Sequence, residues 1–214
     1  DDIKIVPNGV FEYLFQKTEK TQYPSFIYLG RLKEYKQIDV LIKAFAKVVK
    51  NHPSAKLSLV GTGESHDALV TLVKKLEIEE SIHFVGKVSE SEKTDLFGQS
   101  WVAVQPSRVE GWGITVIEAN ACGTPVIASK VNGLQDSVVN GKTGMLVESG
   151  NVDQFAATME MLIIDTPFRQ QLSEGAERWA TNFSWQKSSD EFYEIIGNDL
   201  SHSLVNKPYG ELAL

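Results

Sequence analysis

Apolar and polar positions along the chain alternate between two periods. Ser25–Gly30, Lys56–Gly61 and Ile82–Gly86 are short, nearly continuous apolar runs that each stop at glycine, the pattern of strands buried on both faces. Between the first two, Ile38, Leu41, Ile42, Phe45, Val48 and Val49 recur at helical spacing, which predicts an amphipathic helix over 37–50, with Pro53 beyond its end. Ala68, Leu69, Leu72, Val73 and Leu76 mark a second helix. A short helix over Glu90–Phe97, a strand over Trp101–Gln105 and a helix from Thr115 to Cys122 follow. Thr124–Ser129 is a fifth strand and Gly144–Val147 a sixth, and 153–197 reads as helical throughout, with apolar positions at Phe155, Met159, Leu162 and Ile163.

Strands that alternate with helices need crossover connections, and those build a parallel sheet. The expected fold is α/β, a Rossmann-like doubly wound domain over residues 1–197, with 198–214 as a C-terminal tail of weaker periodicity. Ligands of such sheets bind beyond the carboxyl ends of the strands, which directs attention to the residues after Gly30, Gly61, Gly86, Gln105 and Ser129.

Composition narrows the chemistry. The formal charge is −7 from 28 acidic and 21 basic residues, which argues against a nucleic-acid partner while leaving room for a local phosphate pocket. A lone cysteine, Cys122, fits a reducing compartment and a cytoplasmic location. No apolar run is long enough to span a membrane. The first residue is Asp1, and Ile3–Gly9 reads as a strand running into a turn, so the chain is expected to be a piece of a longer protein. His52, His66, His83 and His202 are scattered without metal-ligand spacing, and no metal site is expected.

Candidate chemistry collects in the loops after strands. Arg31 and Lys36 follow Gly30; a guanidinium fork and a mobile ammonium five residues apart suit a diphosphate, although two solvated surface cations fit the spacing as well. Gly61-Thr62-Gly63 resembles the start of a dinucleotide fingerprint, but His66 breaks G-x-G-x-x-G, so it is either a close backbone approach to a ligand or simply a tight turn. The richest stretch is Pro106–Ala119. Gly111 and Gly113 permit a sharp turn, and the amides of Gly113, Ile114 and Thr115 should be unpaired donors at a helix start that favours anions. Glu110 and Glu118 flank that turn and can accept hydrogen bonds from sugar hydroxyls, each worth about 1.5–3 kcal/mol for an ionised group.

Glu110-Gly-Trp-Gly-Ile-Thr-Val-Ile-Glu118-Ala-Asn-Ala-Cys-Gly-Thr-Pro-Val-Ile-Ala-Ser129 closely resembles the E-x7-E signature of glycosyltransferase family 4. Gly30-Arg31-Leu32-x3-Lys36, Gly61-x-Gly63, Phe84-x-Gly86, Gly133, Gly141-x2-Gly144 and Val6-Pro7-Asn8-Gly9-Val10 resemble further positions of that family, in order, from about residue 3 to 197. The resemblance implies the C-terminal, donor-binding half of a retaining GT-B enzyme, in which two Rossmann-like domains face across a cleft. It implies that Arg31 and Lys36 hold the diphosphate, Glu118 the ribose hydroxyls and Glu110 the donor sugar. The amides of Gly113, Ile114 and Thr115 complete those contacts, and Phe84 and Val85 lie near the nucleobase. Gly30, Gly61 and Gly63 would be backbone neighbours of the donor.

No cofactor or metal is implied. The partners would be a nucleotide-sugar, with UDP-sugar slightly preferred on family frequency over GDP- or ADP-sugar, and an absent N-terminal acceptor domain through which any peripheral membrane contact would pass. This chain alone would be inactive. Two positions depart from the family: Gln37 stands where glycine is usual, and Phe11 where aspartate is common. A non-catalytic nucleotide-sugar-binding module and a GT-B sugar-nucleotide epimerase are the alternatives; a dinucleotide dehydrogenase fits least, because the fingerprint is incomplete.

Overall fold

The computed structural model describes residues 4–11 and 18–205, with side chains to residue 197. Its strands are β1 (Ser25–Leu29), β2 (Lys56–Val60), β3 (Ile82–Gly86), β4 (Val102–Gln105), β5 (Val126–Ser129) and β6 (Gly144–Val147). They form one sheet in the order β3-β2-β1-β4-β5-β6, and every neighbouring pair is parallel. The helices are α1 (Ile38–Asn51), α2 (His66–Lys75), α3 (Glu90–Gln99), α4 (Ile114–Ala121), α5 (Asn132–Ser137), α6 (Val152–Ile164), α7 (Thr166–Ala180) and α8 (Trp185–Val205). The order reverses between β1 and β4, which opens a crevice at their carboxyl ends.

Alternation along the strands divides the core between the two faces. Phe26, Tyr28, Val102, Val104 and Ile127 pack with α1, α2 and α6 on one side. Ile27, Ala103, Val126 and Ala128 pack with α4 and with Leu134 of α5 on the other. The central strands β1, β4 and β5 read as continuous apolar runs because both of their faces are covered.

The helical stretch expected over 153–197 is three helices. Asp165 stops the first: its side chain accepts the Phe168 amide at 2.9 Å, starting α7 with Pro167 in its first turn. The chain turns again at Phe183, which is buried and ties the N-terminal segment to the start of α8 through Val10 N–H to Phe183 O at 2.6 Å. A Cβ at Gly9 would stand 2.2 Å from the Trp185 amide nitrogen, so the two segments touch backbone to backbone. Helix α8 runs to Val205, across the boundary expected for the tail at 198. The strand expected over Ile3–Gly9 does not form: residues 4–9 carry no regular structure and Val10 makes only an isolated bridge to Ser184, while Ile3 and residues 206–214 lie outside the described residues. Helix α5, too short to show a period, was absent from the sequence reading.

Candidate functional site

A hollow of about 260 Å3 occupies the switch point between β1 and β4. Leu29, Gly30 and Lys36 line it from the loop after β1, Gln105, Glu110, Trp112 and Gly113 from the loop after β4, and Ile114 and Thr115 from the first turn of α4; Asn8 closes it from the N-terminal segment. Of the loop glycines and charges singled out in the sequence, Gly30, Lys36, Glu110 and Gly113 line the hollow, whereas Arg31, Gly61, Gly63 and Glu118 do not.

Lys36 and Glu110 are the charged pair of the hollow. The Lys36 ammonium donates to Glu110 Oε1, and their side chains are only 11% and 13% exposed. Ser107 Oγ donates to the same carboxylate oxygen at 3.1 Å. Lys36 sits in a single 3-10 turn over Glu34–Lys36, after which Gln37 adopts a left-handed conformation at φ +49° and α1 begins. Such a conformation costs a non-glycine residue about 1–2 kcal/mol. The helix start that the missing glycine put in question is thus retained, with Ser149 Oγ donating to Gln37 Oε1 at 3.0 Å.

The opposite wall is the tip of α4. Gly113 takes φ +80° as its N-cap, and a Cβ there would also stand 2.8 Å from Leu134 of α5. Among the described residues no protein group accepts from the amides of Gly113, Ile114 or Thr115, so three donors stand at the positive end of the helix. Gln105 lies beneath them, 4% exposed. Its Nε2 donates to Thr115 Oγ1 at 2.6 Å and Leu29 O at 3.3 Å, while its Oε1 has no partner. The start of α5 backs this loop so closely that a Cβ at Gly133 would stand 2.4 Å from Gly111 O.

Arg31 does not join the hollow. Its side chain is exposed at the rim next to Gly30, and its Nη2 donates to Tyr35 Oη at 2.8 Å. Gly61 and Gly63 do not line it either. The close approach they permit is made by protein: a Cβ at Gly61 would lie 2.0 Å from Gly30 O and one at Gly63 2.2 Å from Leu32 O. Leu32 N–H to Thr62 O at 2.9 Å and Ser65 N–H to Leu32 O at 3.0 Å lock the two loops together. The glycines thus serve the packing of one loop against the other.

Glu118 lies one helical step deeper along α4. Its Oε1 accepts from the Lys93 ammonium of α3 at 2.8 Å, and Lys93 also donates to Glu90 at 2.6 Å. Burial raises the Glu118 pKa, with Lys93 opposing. Burial pulls Lys93 the other way, but its bonds to Glu118 and Glu90 outweigh it and leave the ammonium firmly protonated. Phe84 and Val85 stand apart on the edge strand β3, Phe84 against the His66 ring at 5.3 Å and Val85 exposed. Cys122 is buried at the end of α4, where burial pushes its thiol up to about 12. Among the described residues no group of three or more metal-ligating side chains occurs.

Three residues of the site escaped the sequence reading. Asn8 stood out only within the Val6–Val10 segment, Gln105 as a strand terminus, and Lys93 only as an unremarked position of the short helix over Glu90–Phe97. Tyr28 is a fourth support: its hydroxyl donates to Arg31 O at 2.9 Å, and burial raises its pKa far above the phenol range, so it stays a neutral donor.

Fold and hollow together define a Rossmann-like domain with a crevice at its switch point, lined by Lys36, Glu110 and the first turn of α4. The chain belongs to the glycosyl transferases group 1 family, whose sequence profile matches residues 10–179. It is 34% identical over 174 residues to the D-inositol 3-phosphate glycosyltransferase of Rhodococcus erythropolis, covering 78% of this chain and 39% of that protein. Among solved structures it resembles the C-terminal domain of a glycosyl transferase group 1 family protein (LpcC) from Francisella tularensis, with a TM-score of 0.74 and 25% identity over 81% of this chain and 97% of that one. The structure of Anabaena HepE in complex with UDP superposes with a TM-score of 0.84 at 23% identity, covering 91% of this chain and 57% of that one. The fold is therefore that of the C-terminal Rossmann-like half of GT-B glycosyltransferases, and the chain spans about two-fifths of the length of the first curated relative. No helix among the described residues is long and apolar enough to cross a membrane.

Proposed function

We propose that this chain is the donor-binding domain of a retaining family 4 glycosyltransferase, and that its hollow receives the diphosphate and sugar of a nucleotide-sugar. One observation carries the reading: a buried lysine–glutamate pair faces the unpartnered amides of α4 across a single crevice at the sheet's switch point.

The ligand-free arrangement suggests how the site works. A diphosphate entering the hollow competes with Glu110 for the Lys36 ammonium. Glu110, relieved of part of that bond, gains acceptor capacity for a donor-sugar hydroxyl. As the anomeric bond breaks, negative charge grows on the leaving phosphate, where Lys36 and the α4 amides already point. Attraction between unit charges 4 Å apart at an effective dielectric of 20 is about 4 kcal/mol before desolvation. Arg31, leaving Tyr35, closes over the rim as a second cation. Glu118 takes the ribose, and Phe84 and Val85 border the base. The acceptor hydroxyl comes from the other half of the enzyme, whose closure excludes water. The enzyme would work in the cytoplasm, at the membrane face if its other half binds there.

UDP is the preferred nucleotide, supported by the fold shared with HepE, which was solved with UDP and with UDP-glucose. Calorimetry with UDP, GDP and ADP tests the reading directly. UDP is expected to bind at sub-millimolar concentration and more tightly than the other two. Absence of binding by all three at millimolar concentration would remove the donor assignment, and a preference for GDP or ADP would remove only the choice of base.

A further inference from the structure

We propose that Lys93 is a positioning residue for the nucleoside end of the donor: it pins one oxygen of Glu118 and presents the other to the ribose diol. The inference rests on the donor-domain reading and extends it to a residue of a different helix.

Lys93 is 8% exposed, an expensive place for an ammonium unless it is fully paired. Its environment pairs it twice, with Glu118 Oε1 at 2.8 Å and with Glu90 at 2.6 Å. The two carboxylates differ in kind. Glu90 is exposed, with 67% of its side chain open to solvent, so its bond to Lys93 competes with water. Glu118 is held inward at 15% exposure. Among the described residues its second oxygen, Oε2, takes no hydrogen bond, yet it is absent from the buried unpartnered atoms, so it opens to solvent. The carboxylate is thus divided into an anchored oxygen and a free acceptor.

The position of Lys93 is itself fixed. Ser89 and Glu92 form a reciprocal cap at the start of α3, with Ser89 N–H to Glu92 Oε2 at 2.8 Å and Glu92 N–H to Ser89 Oγ at 3.3 Å. That cap sets the rotation of the helix that carries Lys93. Burial drives Glu118 toward its neutral form, and Lys93 is the cation that opposes it. A carboxylate with one oxygen anchored by an ammonium is preorganised to accept two hydroxyl donors in a vicinal arrangement, as a ribose supplies.

The test compares two ligands that share the diphosphate but not the nucleoside. UDP and inorganic pyrophosphate are titrated calorimetrically into the unaltered chain, Lys93→Met, Lys93→Gln, Glu118→Gln and the Lys93→Met/Glu118→Gln double variant. Thermal melts followed by circular dichroism confirm the fold of each. Lys93→Met should weaken UDP about 10-fold and leave pyrophosphate within about twofold, a split that general loosening would not produce. In the Glu118→Gln background, Lys93→Met should add no further loss. Lys93→Gln keeps a neutral donor in place and should lose UDP affinity by about threefold; it carries the comparison if the methionine variant does not fold. Equal weakening of UDP and pyrophosphate, no weakening of UDP, or full additivity with Glu118→Gln would each overturn the assignment. If the unaltered chain binds neither ligand, the donor-domain reading fails instead.

Discussion

The two ends of the sheet each bury a lysine, and they treat it in opposite ways. At the carboxyl end, Lys36 meets a carboxylate, Glu110, inside a hollow. At the amino end, Lys20, half-buried, meets only neutral acceptors among the described residues: Ser100 O and Thr124 Oγ1, both at 2.8 Å. Burial there lowers its pKa to about 8, with Cys122 and Glu177 opposing and Arg169 assisting. Neighbouring Arg169 is equally occupied, stacked 3.9 Å from the Trp101 ring and capping α6 through Leu162 O. The amino end uses its cations to fasten the chain entering β1 and the last turn of α6. The carboxyl end keeps a cation whose partner, on the proposed donor-site reading, a ligand replaces. Burial alone does not separate a working lysine from a structural one; the charge and replaceability of the partner do.

The strongest way to break this contrast is to remove each lysine and read ligand binding. Lys36→Ala deletes a charge-assisted donor and leaves Glu110 buried without its counter-ion, so UDP affinity should fall at least about 100-fold, near 3 kcal/mol. Lys20→Met should leave UDP affinity unchanged. Calorimetric titration of both variants checks the pair, and a comparable loss from Lys20→Met would erase the distinction between the two ends.

A stability measurement sharpens the same comparison from the other side. The folded Lys20 releases its proton near pH 8, below the usual lysine value of 10.5, so between those pH values the unfolded chain binds more protons than the folded one. Stability from this group must therefore rise with pH across that window; below it the buried ammonium is a standing cost. Urea unfolding of the unaltered chain and of Lys20→Met, at pH 7 and at pH 10.5, should show the unaltered chain gaining up to about 3 kcal/mol relative to the variant as pH rises. A difference that stays flat would mean that Lys20 keeps its proton and its ordinary affinity for it.

How much of this was legible in the residues follows from the physics of each signal. The central strands were readable because strands covered on both faces are uninterrupted apolar runs, as in Phe26–Leu29 and Val126–Ala128. The turn at Gly113 and the donors beyond it were readable because glycine spacing and a helix start are local properties. Partners distant in sequence were not. Nothing near Lys93 announces that it will meet Glu118, since that contact depends on how α3 packs beside α4. Gly61 and Gly63 permit a close approach, but only the fold shows that Gly30 and Leu32 make it. Lys20 and Lys36 look alike as letters, and their difference lies wholly in what the sheet's two ends place beside them. Phe11, where the family often carries aspartate, packs 6.1 Å from the Trp185 ring, a contact invisible before α8 was placed.

Arg31 supplies the smallest expected effect and the finest division of the carboxyl end. The sequence pairs it with Lys36 as a second phosphate cation, yet its guanidinium points to Tyr35 and its side chain is open to water. To reach a diphosphate it must give up the Tyr35 hydroxyl and its own hydration, so much of the energy of a new charge-assisted bond is offset. Lys36 faces no such exchange with solvent, because it is already inside. Arg31→Ala should therefore weaken UDP by about 10-fold, roughly 1.4 kcal/mol, well short of the Lys36→Ala loss. The same variant should leave nucleoside binding untouched, since Glu118 lies elsewhere along α4. A loss as large as that of Lys36→Ala would show that the rim closes on the ligand and that the guanidinium, once turned inward, is held there as firmly as the ammonium.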